Sequence, residues 1–490
     1  MIHLHSSFAM LVHAFVMYCL ASLWIPATGF VWVGTIRHGG AGHARKAPRA
    51  GWQGRNVLRA SAPTSDSIRV DAKDLNSSDG NPFFSEDTLS PLVKSLSPSK
   101  TIEVHALTQE MKARGERVVS LCVGEPDFNP PLAVIEATGT AAQEGKTKYT
   151  GVTGAADLRR GVSEDLARRK ASSDIRYAPE EIVVSNGAKQ AVYQGILAVV
   201  RPGDEVIVPA PYWPSYPEIV RLAGGVPVIV ETSVEDGFLL TPERLRGALT
   251  DRTRMLIFCN PSNPTGAVHS KEQCEKLSAV LSEKGGKGQG VWVMADEIYE
   301  RITYDTPHVA FASLPGMWER TMTVNGFSKS HAMTGYRLGY IAAPPIVIKA
   351  VTTIQGQLTS CASAVSQAAG VAALGVSDAE MQESFDMMRK KRDFVLERLS
   401  RIPGLTTAVP EGAFYVLPDV SAHFGKTAPD GTVIGGATEL CLYLLRSHCV
   451  ALVTGEAFGY PRGIRISYAA SMEELAEALE EFDKCIVSLK

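Results

Sequence analysis

Eight short apolar runs, mostly separated by helix-like stretches, constrain this 490-residue chain more than any other feature. They fall at residues 117–123, 181–185, 205–208, 226–231, 254–259, 291–295, 321–325 and 338–342. Most are continuous rather than alternating. A strand that shows one face to water alternates apolar and polar residues; a strand covered on both faces does not. Strands of the second kind, spaced by helices, predict an open, mostly parallel sheet with helices packed on it. From about Gln367 the pattern changes to longer amphipathic segments. Residues 387–402 place Phe394, Val395, Leu399 and Ile402 on one helical face. Ser471, with Glu474 three positions on, reads as a capping box opening a last helix that carries Leu475, Leu479, Phe482 and Ile486. The expected architecture is α/β with a second, smaller α+β domain. Residues 91–125 form an N-terminal arm and part of the small domain, 126–366 the large domain, and 367–490 the rest of the small one.

Residues 1–90 do not fit that pattern. The run FAMLVHAFVMYCLASL (residues 8–23) is apolar, no acidic residue precedes it, and Ala27, Thr28 and Gly29 follow as a small-residue step. From Arg37 to Arg59 the chain is basic, and its first acidic residue is Asp66. The expectation is a signal peptide at 1–29, then a transit peptide and unpacked linker at 30–90. With Phe30 just behind the cleavage step, this resembles the bipartite leader of proteins sent to plastids bounded by extra membranes. The alternative is the secretory pathway, or a membrane anchor at residues 8–23, a run borderline in length for spanning a bilayer. No stable membrane association is expected once the leader is removed. The formal net charge of −3 argues against nucleic acid as a partner. The eight cysteines form no CxxC pair, so neither a metal site nor a disulfide framework is signalled.

The residues with chemical promise cluster where the apolar runs end. In TVNGFSKSHAMTGYR (323–337), Lys329 sits in a Gly-containing turn and Arg337 follows eight residues later. An amine that can lose its proton serves imine chemistry, and a guanidinium fork suits a phosphate. In VWVMADEIY (291–299), Asp296 ends a run, where ligands of open α/β sheets collect; it reads equally as the N-cap of a following helix. In NPSNPTG (260–266), prolines and a glycine present Asn263 rigidly, or simply make a turn. In VSNGAKQ (184–190), the backbone N–H groups of Gly187, Ala188 and Lys189 open a helix pattern and offer an anion site. Trp213 in PAPYWPSY (209–216) offers an aromatic face, for a planar ligand or for packing. Arg465 interrupts the apolar RGIRISYA (462–469), and a guanidinium there needs an anion, from a ligand or from the protein itself.

In this order, NPSNPTG, DEIY, GFSKSHAMTGYR and RISYA resemble the class I and II aminotransferases of the fold-type-I pyridoxal-phosphate superfamily, from about Leu96 to the C-terminus. The resemblance implies a large domain with a mostly parallel seven-stranded sheet, a smaller α+β domain, and pyridoxal 5'-phosphate as cofactor. It implies that Lys329 holds the cofactor and moves the proton, and that Asp296 pairs with the pyridine nitrogen. Asn263 and Tyr299 would bond the ring's phenolic oxygen, and Trp213 would stack on the ring. Gly187, Ala188, Lys189, Ser328 and Arg337 would hold the phosphate. Tyr149, in KYTGVTG, would reach the phosphate of a neighbouring subunit in a homodimer with shared active sites. Arg465 would clamp the substrate α-carboxylate, with Gly124 of GEPDF, Trp213 and Asn263 beside it. SLSPSKT (95–101), VSNGAKQ and APYWPSY are similar to the bifunctional aspartate/prephenate aminotransferases of plants and bacteria, where the matching positions, Thr101 and Lys189, help bind a distal carboxylate. His331 and Tyr336 depart from that group, which often has an aromatic and a tryptophan there. The implied reaction is transamination between aspartate or glutamate and 2-oxo acids (oxaloacetate, 2-oxoglutarate), with prephenate going to arogenate. The alternatives are an alanine, aromatic or kynurenine aminotransferase, an elimination enzyme such as a C–S lyase, or a non-enzymatic binding protein on the same scaffold.

Overall fold

The computed structural model describes residues 88–490 apart from 95, 97–99, 170–175, 284, 285 and 289. Residues 1–87 of the expected leader therefore lie outside the described residues, as does part of the SLSPSKT motif. Among the described residues no helix is long and apolar enough to cross a membrane. Thr101 falls in the helix Lys100–Ala113, and its side chain is outside the described part.

The first strand, β1 (Val119–Ser120), is all that forms from the run at 117–123. It pairs with a late segment of the chain, not with the main sheet. The main sheet takes the next seven: β2 (Ile182–Ser185), β3 (Glu205–Ala210), β4 (Val226–Glu231), β5 (Thr253–Cys259), β6 (Trp292–Asp296), β7 (Thr321–Gly326) and β8 (Gly339–Ala342). Their order is β2-β8-β7-β6-β5-β3-β4. All neighbours run parallel except β8, which is antiparallel to both β2 and β7. Because β8 reverses twice, β2 points the same way as β7. The C-terminal ends of β2, β3, β5, β6 and β7 thus emerge along one edge.

The continuous apolar runs have the cause expected of them. In β5, Met255 and Ile257 join the core on one face of the sheet while Leu256 and Phe258 join the core on the other. In β6, Met294 packs on the first face, Val293 and Ala295 on the second. Successive side chains on a strand point to opposite faces, so both faces must be apolar when both are covered. The exception is β4. It is an edge strand, and unlike β2 at the other edge it leaves Val226 and Ile229 49% and 40% exposed.

The later chain adds β9 (Tyr415–Val416), β10 (Val450–Ala451), β11 (Val453–Thr454) and β12 (Ile464–Ser467). β11, β12 and β9 form a three-stranded antiparallel sheet, and β1 pairs with β10. Helices Asp378–Ser400, Ala437–His448 and Met472–Ser488 cover them through one apolar cluster that includes Val395, Leu444, Leu479 and Phe482. This cluster also takes in Ile298 and Tyr299 from the turn after β6. The last helix begins as expected: Ser471 Oγ accepts from the Glu474 N–H at 3.2 Å, and the Ser471 N–H donates to Glu474 Oε2 at 3.1 Å. The helix read at 387–402 starts nine residues earlier, at Asp378, because Ser377 and Glu380 cap it there; its first turns carry few apolar residues to show a period. Helix Ala364–Gly375 crosses position 366/367 and joins the cluster of Leu158, Val162 and Leu338 beside the main sheet. Its Gly370 lies so close that an added Cβ would stand 2.5 Å from Leu338 Cδ2.

Candidate active site

Five strand ends deliver side chains to one cavity of about 520 Å³. β2 leads to Ala188 and Lys189, β3 to Trp213, β5 to Asn263, β6 to Asp296 and Tyr299, and β7 to Ser328, Lys329 and Arg337. Arg465 on β12 and Gly124, beyond β1, close it from the later sheets. The cavity shares Lys189, Trp213, Arg337 and Arg465 with a broader groove of about 1020 Å³. Open α/β sheets collect ligands at the carboxyl ends of their strands, and the motifs read from the sequence meet there.

Asp296 is buried, and Tyr216 Oη donates to its Oδ2 at 2.7 Å. Burial raises its pKa above the ordinary carboxylate value, against the stabilising bonds from Tyr216 and the Ile298 N–H. A carboxylate in this place is charged most readily when a cation faces it. Lys329 Nζ donates to the carbonyl of Gly124 and lies 6.0 Å from the centre of the Phe414 ring. Its pKa is pushed down to about 8, chiefly by burial; Arg465 and Arg337 add to the effect, while Glu125 and Asp296 oppose it. An amine with that pKa is substantially neutral near pH 8, as a nucleophile needs.

Gly187 has φ +80°, a conformation open to glycine, and caps the helix Ala188–Val199. A Cβ there would stand 2.6 Å from Arg337 Nη2. The helix start and the guanidinium thus face each other across a space no side chain fills, and the first N–H groups of a helix have no intrahelical partner. Gly187 itself borders this anion cradle without lining the cavity. Lys189 Nζ sits 4.9 Å over the Trp213 ring, and its pKa is lowered by burial and by Arg337.

Arg465 is buried between the rings of Tyr415 and Phe458, at 4.7 and 4.8 Å. Its Nη1 donates to Asn263 Oδ1 at 3.2 Å and its Nη2 to the Cys122 carbonyl, while its buried Nε has no partner. No carboxylate among the described residues pairs with it. Neutral oxygens alone do not balance a buried guanidinium, so Arg465 is suited to receive the carboxylate of a ligand.

The comparisons with known proteins agree with this geometry. The profile of the family "Aminotransferase class I and II" matches residues 116–482. The chain belongs to the class I and II aminotransferases. It is 46% identical over 408 residues to an aspartate aminotransferase of Pinus pinaster, covering 82% of each chain. It is 45% identical over 410 residues to a bifunctional aspartate aminotransferase and glutamate/aspartate-prephenate aminotransferase of Petunia hybrida, covering 82% of this chain and 84% of that one. The crystal structure of an aspartate aminotransferase from Rhizobium meliloti superimposes with a TM-score of 0.78 at 40% identity, over 82% of this chain and 99% of the other.

The aminotransferase is pyridoxal-phosphate-dependent, and its cavity suits that cofactor: a buried acid for a ring nitrogen, a depressed amine for an aldehyde, and a helix start with a guanidinium for a phosphate. Of the residues expected from the sequence, Tyr149 alone among those with described side chains stands well apart. It is 88% exposed and does not line the cavity. Two tyrosines escaped the sequence reading. Tyr216 holds Asp296, and Tyr415 Oη lies 2.9 Å from Tyr299 Oη. Tyr415 also explains Gly124, where a Cβ would come within 2.4 Å of its hydroxyl. Tyr216 lay inside the PAPYWPSY motif; Tyr415, in a segment without a motif, had no local signal.

Proposed function

We propose that this aminotransferase exchanges amino groups between aspartate or glutamate and 2-oxo acids such as oxaloacetate and 2-oxoglutarate, with prephenate as a further acceptor that becomes arogenate. The observation that carries this reading is the provision for two carboxylates in one cavity: Arg465, without an anionic partner among the described residues, and Lys189 at the start of a helix on the main sheet. Aspartate and prephenate each bear a second carboxylate, and the names of the Pinus and Petunia relatives support the same substrates.

Bound at Lys329, pyridoxal 5'-phosphate supplies an electrophilic carbon and an electron-withdrawing ring. Asp296 keeps the ring nitrogen protonated, and Tyr216 keeps Asp296 in place. Asn263 and Tyr299, which line the cavity, would bond the phenolic oxygen, and Trp213 would face the ring. The backbone N–H groups of Gly187, Ala188 and Lys189, with the side chains of Ser328 and Arg337, would hold the phosphate, which leaves the Lys189 side chain for the substrate. Arg465 orients the α-carboxylate beside Gly124, so that the substrate Cα–H faces the amine of Lys329. The Lys329 amine would hold the cofactor and, when free, would take up the Cα proton and return it.

Lys189→Ala is expected to lower kcat/KM for aspartate and prephenate by roughly 10- to 100-fold, the value of a hydrogen bond to a charged group. Amino acids with one carboxylate should change by no more than about threefold. Steady-state assays with both classes decide the matter. Equal losses would place Lys189 on the cofactor alone and sink the dicarboxylate reading.

The same reading makes the enzyme a homodimer with shared active sites. The exposure of Tyr149, outside its own cavity, supports a side chain that serves a neighbour. Residues 1–29 and 30–90 are read as a bipartite plastid leader. A fluorescent protein carrying residues 1–90 should enter a complex plastid. Secretion, or retention in a membrane through residues 8–23, would contradict that destination.

A further inference from the structure

Behind the cavity, charged side chains are buried that no step of amino transfer uses. Arg169, the last residue of the helix Ala156–Arg169, pairs with Asp165 at 2.6 Å and also with Glu300. Arg301 pairs with the same Asp165 at 3.0 Å and with Asp378 at 2.9 Å. The side chains of Asp165, Glu300, Arg301 and Arg169 are 5%, 6%, 9% and 14% exposed, so water screens them little. Asn325 Nδ2 donates to Glu300, and Asn325 Oδ1 accepts from the Gly326 N–H at 2.7 Å.

The placement of this cluster along the chain gives it meaning. Glu300 and Arg301 directly follow Tyr299 and lie within five residues of Asp296, on the segment leaving β6. Asn325 is the last residue but one of β7, four residues before Lys329. β6 and β7 are parallel neighbours with Asp296 opposite Val324. The acid and the amine therefore stand on two adjacent segments, and the bond between Glu300 and Asn325 ties these segments together on the side away from the cavity. His331 is buried two residues beyond Lys329, with Nδ1 2.9 Å from Ser330 Oγ. Burial and the cation of Arg301 push its pKa down to about 3, so it adds a neutral ring and no charge.

We propose that Glu300, Asn325, Arg169, Asp165 and Arg301 are positioning residues that set Asp296 and Tyr299 against Lys329. A buried ion pair contributes little net stability against its desolvation cost, but a network with fixed bond directions confines the segments it joins. Glu297 and His308 adjoin Glu300, with ligand atoms of the three within 4.8 Å. The guanidinium of Arg169 on Glu300 makes this an ion-paired cluster. The proposal rests on the reading of Lys329 and Asp296 as the groups that serve the cofactor.

The test uses the holoenzyme with Glu300→Gln and Asn325→Ala, the second leaving the pair of Glu300 with Arg169 intact. The readouts are the pH midpoint of the visible absorbance that Lys329 and the cofactor generate, kcat and KM for aspartate, and melting temperature. Expected are a midpoint displaced by about one pH unit and kcat lower by roughly 10- to 100-fold, the cost of a small misplacement. KM should change by no more than about threefold, because Arg465 is untouched. Arg169→Lys, which keeps the charge, should retain most of kcat. If both variants melt earlier but keep the wild-type midpoint and kcat, the cluster is structural only and the proposal falls. Should Glu300→Gln fail to fold, Asn325→Ala decides alone. A wild-type holoenzyme without the absorbance would instead overturn the reading of Lys329, so the two failures are distinguishable.

Discussion

Lys329→Ala is expected to lower amino transfer by about four orders of magnitude or more, combining the loss of a nucleophile with the loss of a general acid–base worth roughly 10²- to 10⁴-fold. Among the described residues no other amine is placed to take over. Lys189, the other lysine of the cavity, lies over Trp213 at the cavity mouth and faces Arg337. Lys329, by contrast, is held against the Gly124 carbonyl with its pKa near 8. The sign of the pH dependence follows. Below about pH 8 the amine is mostly protonated and cannot attack; above it the neutral form dominates. Capture of the cofactor by apoprotein should therefore accelerate with rising pH and level off above that midpoint. Two measurements check this: steady-state turnover of the variant, and borohydride reduction of wild-type holoprotein followed by peptide mapping. A label on any lysine but Lys329, or a variant with a tenth of normal turnover, would end the assignment.

Asp296→Ala should cost about 10³-fold in kcat, the scale seen when a preorganised charge is removed from a water-excluded site. Asp296→Asn should fall between this variant and wild type, since the amide keeps the shape and the bond to Tyr216 but not the charge. Burial works against the carboxylate until a cation faces it. Its raised pKa means that the folded apoprotein holds this proton more tightly than the unfolded chain does. The resulting stabilisation is complete below the ordinary carboxylate pKa and is lost as pH rises through the raised one. Apo Asp296→Asn should thus be at least as stable as apo wild type at neutral pH, while binding the cofactor more weakly. Thermal melts with and without cofactor, alongside kcat, separate the two effects. An Asn variant with wild-type kcat would show that the charge is not needed.

Much of this was legible from the chain alone. The strands of the main sheet announced themselves because burial on both faces removes polar residues from consecutive positions, a signal local enough to read. It gave β4 its observed bounds but not the exposure of Val226 and Ile229, and it overstated the run at 117–123, where only Val119 and Ser120 pair. The motifs after β5, β6 and β7 were readable because turn chemistry and catalytic residue types coincide within a few positions.

What the sequence determined, then, was the kind of sheet, the residues at its strand ends and the family to which they belong. Which residues meet was decided by tertiary structure alone. Arg465 bonds Asn263 across 202 residues, Tyr299 meets Tyr415 across 116, and Lys329 reaches Gly124 across 205. The partners of a buried charge are chosen by where the chain returns, and local propensity carries no record of that. Desolvation, the largest influence on both Asp296 and Lys329, exists only once the surrounding segments have closed over them.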